Sequence, residues 1–298
     1  KPLDPSDKNH IIKHTLENLD DSFPELTEGL LDLLWPSLIW EVPSMTIVQY
    51  KPRTGLLQET RVVPRWTEVR SLPVGPEAAV CRFSTTSEVR VSPLSLVGVD
   101  RFVDTRGKAS LTFRFEIDAA VKWKDITISP LRLFLHGELP TSLMLHEFMT
   151  TRVVRSEVSI DGHGSVLVDP PSAVTPGGLS VEETLLPCDS RSFWGYDLLR
   201  EYFVFPEKFL FVDIHGFDRL HSSGDPRAFS VTLTFDKDFP AEKPFSISNF
   251  RLFCTPAANI FRKEIEPVAY SGLEPEYRLI ADSVSPNSCA VHHVIDIA

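Results

Sequence analysis

Two textures of apolar and polar positions succeed one another along the chain. Near the start, Ile11, Ile12, Leu16, Leu19 and Phe23 recur at helical intervals after Asp4-Pro5-Ser6, a spacing that predicts a helix with one apolar face, ended by Pro24. A second helix is predicted from Glu25 to Leu34 and stops at Pro36, because proline lacks an amide proton and clashes with the preceding turn. From Pro43 onward the period falls to two. Short runs bounded by Pro and Gly predict strands at Met45–Tyr50, Val80–Ser84 and Val89–Val91. The clearest run sets Leu111, Phe113, Phe115 and Ile117 against Thr112, Arg114 and Glu116, the signature of a half-buried strand.

The same alternation continues at Leu131–Leu135 and Val153–Ile160, with a short helix expected from Leu143 to Thr150 between them. Asp169–Gly178 is rich in turn formers, including Pro170 and Pro171, and predicts a surface loop. A helix from Gly195 to Phe203 should precede a strand at Phe209–Ile214 that is apolar on both faces. Phe229, Val231, Leu233 and Phe235 alternate with Ser230, Thr232 and Thr234, and further strands are expected at Phe250–Cys254 and Val268–Tyr270. These elements predict a β-rich α+β fold with two mainly antiparallel β domains and a short N-terminal helical segment. The expected division is residues 1–42 helical, 43–128 a first β domain and 129–298 a second, β-rich α+β domain.

Composition narrows the function. With 298 residues, the chain can bury a large core without disulfides, and its four cysteines are too scattered for a zinc ribbon or redox pair. They read as buried, reduced thiols of a cytosolic protein. A net charge of −11 repels a phosphate backbone, and no run of Lys and Arg offsets it, which argues against a nucleic-acid partner. The most apolar stretch, Leu30 to Trp40, contains Asp32 and Pro36 and is far shorter than the ~20 residues that span a bilayer, so no membrane insertion is expected. A start at Lys1, with neither initiator Met nor signal-peptide pattern, suggests a piece of something longer.

A search for chemistry returns little. His10, His14 and Glu17 share one predicted helical face, but Ile11 follows the first His where a metalloprotease needs Glu, so a solvated polar face is the expected reading. Asp161-Gly162-His163-Gly164-Ser165 has hydrolase residue types without a nucleophile elbow, and is expected to be a turn between strands. His292 and His293 would point to opposite faces of a strand, which argues against one chelating site. Phosphate loops and dinucleotide fingerprints do not occur. No catalytic residue, metal or cofactor is therefore assigned, and a non-enzyme is expected.

The strongest signal is aromatic. Phe193, Trp194, Tyr196, Tyr202, Phe203, Phe205, Phe209, Phe211 and Phe217 fall close together, and their full exposure would leave a large sticky patch. Most of the cluster is expected to be core, while some rings, with Arg200 among them, suit a protein interface. Trp194, Tyr196, Arg200, Phe203 and Phe205 are the candidates, expected as a packed hinge between the β domains with few rings exposed; Pro170 and Pro171 mark a second, weaker interface candidate. A carbohydrate- or peptide-binding β module, and a β-rich hydrolase, remain as alternatives.

At this cluster the chain resembles a known family. Glu182-Glu183-Thr184-Leu185-Leu186-Pro187 and the run from Gly195-Tyr196-Asp197 through Arg200-Glu201-Tyr202-Phe203 to Phe209-Leu210-Phe211 are similar to the TssF family, also called ImpG or VasA. Phe23-Pro24-Glu25-Leu26, Val42-Pro43-Ser44-Met45, Cys81-Arg82-Phe83-Ser84-Thr85 and Thr255-Pro256-Ala257-Ala258-Asn259 extend the resemblance over nearly the whole chain. The resemblance implies a structural baseplate subunit of the bacterial type VI secretion system and a central segment of a longer chain. It also implies cytoplasmic wedges docked through the baseplate to the inner-membrane complex. Its implied partners are a TssG-like wedge subunit, a second copy of the chain, a TssK-like adaptor, a TssE-like subunit and the central spike.

Overall fold

The computed structural model describes residues 27–31, 33–38, 40–76, 78–160, 164–187, 193–219, 225–265, 267–268, 272, 277, 279–281 and 289–296. The predicted helix at Ile11–Phe23, with His10, His14 and Glu17, lies outside them, as do His163 and most of the expected Val268–Tyr270 strand. Residues 27–31 and 33–34 are helical, in agreement with the second predicted helix.

Strands dominate the rest: β1 (Met45–Gln49), β2 (Arg61–Val63), β3 (Glu68–Arg70), β4 (Arg82–Thr85), β5 (Val89–Val91), β6 (Leu94–Val103), β7 (Ala109–Ile117), β8 (Leu131–Leu135), β9 (Val153–Ile160), β10 (Gly164–Val168), β11 (Val174–Pro176), β12 (Phe211–Ile214), β13 (Ala228–Phe235), β14 (Phe250–Leu252) and β15 (Cys254–Ala258). Among the described residues, the longest helices that accompany them are α1 (Leu139–Thr151) and α2 (Trp194–Val204). α1 begins before its expected start because Pro140 sits in the first turn, where a missing amide proton costs nothing.

The strands form a five-stranded sheet in the order β10-β9-β13-β7-β6, two four-stranded sheets, β11-β12-β8-β14 and β1-β15-β4-β3, and the ribbon β2-β5. Every pairing among the described residues is antiparallel. The period of two places Leu111, Phe113, Phe115 and Ile117 of β7 and Phe229, Val231, Leu233 and Phe235 of β13 in the core. Phe115 stacks on Phe229 at 4.8 Å, and Phe113 meets Phe250 edge-on at 5.0 Å. On the outer face the hydroxyls of Thr112 and Thr232 are 3.0 Å apart. β12 is buried along its whole length, as its apolar run predicts, and Asp213 within it receives two hydrogen bonds from Arg132 at 2.7 Å.

Two expectations are corrected. The chain separates into one compact unit of Lys1–Val42, Pro187–Arg200 and Lys263–Ala298 and another of Pro43–Leu186 and Glu201–Arg262. No division falls at residue 128: β7, before it, is hydrogen-bonded to β13, after it, from Ser110 to Glu116. A period of two reveals a buried face but not which distant strand lies beside it. The Asp169–Gly178 segment is likewise not a plain surface loop. Pro170–Ala173 make one helical turn, β11 pairs with β12, and Ala173, Val174, Gly177 and Gly178 are buried. Pro170 is half-buried.

Candidate functional site

α2 is an amphipathic helix turned inside out. Its start carries Asp197 in the first turn, where a carboxylate suits the positive end of the helix dipole. Pro206 follows its end and disfavours helical backbone at the residue before it. Asp197 and Glu201, four residues apart and so on one face, are only 6% and 4% exposed. Tyr196, Leu199 and Phe203, spaced three and four apart, lie on the opposite side with Tyr202 and are exposed, Phe203 by 77%.

Each buried carboxylate has specific partners, as burial of charge requires. The Ser37 hydroxyl donates to Asp197. Near it, the Arg200 guanidinium donates to the Ser37 carbonyl and, at 2.7 Å, to the Trp40 carbonyl. Glu201 accepts the Leu185 amide proton at 2.6 Å and a proton from the Lys208 ammonium, which is fully buried. Gly178 makes room beside that lysine: its φ is +81°, and a Cβ there would come within 2.5 Å of the Lys208 carbonyl oxygen. Nearby, Arg132 pairs with Glu183 as well as Asp213. Burial pushes the Glu183 carboxyl up, but Arg132 and the amides of Ser180 and Gly178 outweigh it and hold the group below the usual carboxylate range.

The predicted candidates therefore separate. Trp194, Tyr196 and Phe203 are exposed rather than packed, although Tyr196 stacks on Trp35 at 5.0 Å and receives the edge of Phe193 at 5.7 Å. Arg200 is a backbone clamp. Phe205 is the one of the five that packs into a core cluster, with Leu185, Leu186 and Ala258. Pro170 and Pro171 lie on the one-turn helix before β11, apart in sequence from these rings. Leu199, Asp197 and Lys208 carry no role in the sequence reading, and Glu201, which with Arg200 between the rings suits an interface there, is turned inward; the four-residue spacing of two acids inside an aromatic run was the signal.

Ser165 sits on β10 beside Glu157, whose carboxyl it holds below its usual range by a hydrogen bond. Among the described residues no group of three or more His, Cys, Asp or Glu side chains is placed to hold a metal ion. No helix among them is long and apolar enough to cross a membrane. His292 and His293 are not on a strand, and their rings meet rather than diverge, with Nδ1 atoms 2.9 Å apart.

Comparison with known proteins decides the family. A family model described as "Type VI secretion system, TssF" matches residues 13–298. The chain belongs to the TssF family. The type VI secretion system component TssF1 of Pseudomonas aeruginosa is 28% identical over 296 residues, covering 94% of this chain and 48% of that protein. A chain in the structure of the type VI secretion system TssK-TssF-TssG baseplate subcomplex is similar at a TM-score of 0.81 and 31% identity, over 94% of this chain and 53% of that one. A chain in the structure of the type VI baseplate complex gives 0.56 and 31%, over 88% and 45%. This TssF-family chain thus spans about half the length of the relatives it matches, and shares their β-rich α+β fold.

Proposed function

We infer that this chain is a structural part of a type VI secretion baseplate, whose work is to hold partner subunits and not to catalyse a reaction. The observation that carries this reading is its likeness, at a TM-score of 0.81, to a chain in a TssK-TssF-TssG subcomplex. A TssG-like wedge subunit and a TssK-like adaptor are accordingly its first expected partners. A second copy, a TssE-like subunit and the central spike would complete the surroundings, with the wedge on the cytoplasmic side docked to the inner-membrane complex. The mechanism would be mechanical: contacts that favour one arrangement before firing and another after it.

Within that reading, the outward rings of α2 are the contact face for the TssG-like subunit. The exposed Tyr196 and Leu199 of the one unit, and the exposed Tyr202 and Phe203 of the other, carry no charge, so the matching surface should be apolar. Co-purification with a TssG-like subunit tests the assignment: a complex that Leu199→Ser and Phe203→Ser abolish supports it, and a complex indifferent to both contradicts it.

A further inference from the structure

In the unit that contains Lys1–Val42, two histidine rings meet one another and a tryptophan. The ring of His293 lies flat on Trp40, with centroids 5.6 Å apart and planes 12° apart. His292 meets the same indole edge-on at 5.4 Å. The two imidazoles touch through their Nδ1 atoms, 2.9 Å apart, and such a contact holds one proton. In a neutral pair one ring donates from Nδ1, while the other carries its proton on Nε2. His292 Nε2 is enclosed and has no hydrogen-bond partner. The arrangement without a buried orphan donor therefore protonates His292 at Nδ1 and His293 at Nε2. Any further proton must fill both Nε2 positions, since the gap between the Nδ1 atoms still accepts only one. It places an N–H on the enclosed nitrogen and a positive charge in the cluster.

We propose that this pair is a pH-sensitive clasp: its neutral rings hold residues 289–296 against Trp40, and protonation releases them. The charged groups that face the pair pull both ways. Burial opposes charge on both rings and is the largest influence. A charge on His293 and the Arg200 guanidinium oppose it further on His292, whereas the backbone and carboxylate of Glu41 favour it. The net result is that both rings hold protons less tightly than an ordinary histidine. The clasped state thus binds fewer protons than the released one, so holding is complete above the ordinary histidine value of about 6.5 and is lost as the pH falls below it. This device does not depend on the baseplate reading.

Hydrogen exchange followed by mass spectrometry on the 298-residue chain tests it, with rates corrected for the intrinsic effect of pH. Residues 289–296 should exchange about tenfold faster near pH 5 than near pH 7.5, while β7 and β13 stay protected. His293→Gln, which hydrogen-bonds but does not titrate, should remove the pH step. Should that variant loosen the segment at every pH, titration of the unmodified imidazoles by NMR decides. Coupled titration below the ordinary value supports the clasp; two independent titrations at about 6.5, or exchange of residues 289–296 that ignores pH, overturn it.

Discussion

Glu201 and Lys208 meet as an ion pair inside the protein, seven residues apart in sequence and both almost entirely removed from water. Removing one member strands the other as a buried charge. Lys208→Met should therefore destabilise the fold by about 3–5 kcal/mol, and the double variant Glu201→Leu, Lys208→Met should be less destabilised than the single one. Urea unfolding of Lys208→Met, Glu201→Leu and the double variant checks this; a double loss equal to the sum of the two single losses would mean that the pair is not coupled.

The opposite face of the same helix should behave in the opposite way. Leu199→Ser and Phe203→Ser alter exposed side chains, so stability should stay within about 0.5 kcal/mol of the parent. Phe205→Ser, in the cluster with Leu185 and Leu186, should cost several times more. Thermal melts of the three variants separate surface from core.

The β7–β13 contact gives a third expectation. Phe115→Ala or Phe229→Ala, each removing one ring of a buried stack, should cost about 3–5 kcal/mol. Because the rings touch, the double variant should cost less than the sum of the two.

Acid should weaken the network around Arg132. The Glu183 carboxyl is held below its usual range in the folded protein, so its contribution is present above the ordinary value of about 4.3 and is lost as the pH falls below that toward its lowered folded value. Glu183→Gln should flatten the fall in stability between pH 7 and pH 3, measured from urea midpoints.

Cys254 is buried, and burial pushes its thiol up to about 12. It should stay unmodified by a thiol reagent at pH 8 until the protein is unfolded, whereas the partly exposed Cys81 should react in the native state. Peptide mapping of the labelled protein distinguishes the two.

Much of the β architecture was legible because burial on one face of a strand imposes a period of two. β7 and β13 follow it residue by residue, and β12 shows the continuous apolar run of a strand covered on both sides. Their neighbours were not legible, since Phe115 and Phe229 are brought together by pairing across more than a hundred residues. The Asp169–Gly178 segment was misread because its prolines and glycines signal turns, while the pairing of Val174–Pro176 with β12 comes from tertiary structure. α2 was misread for a sharper reason. Rings are expected inside, and only the partners Ser37, Leu185 and Lys208, distant or beyond the helix, allow Asp197 and Glu201 to take that place.

The central claim is that this TssF-family chain is an assembly part whose outward aromatic face receives a TssG-like subunit. The most direct measurement is co-expression of the two proteins, followed by size exclusion with light scattering, for the parent and for the variant Leu199→Ser, Tyr202→Ser, Phe203→Ser. The account predicts a stable complex with the parent and none with the folded variant. A parent that never binds, or a variant that binds as well as the parent, would contradict it.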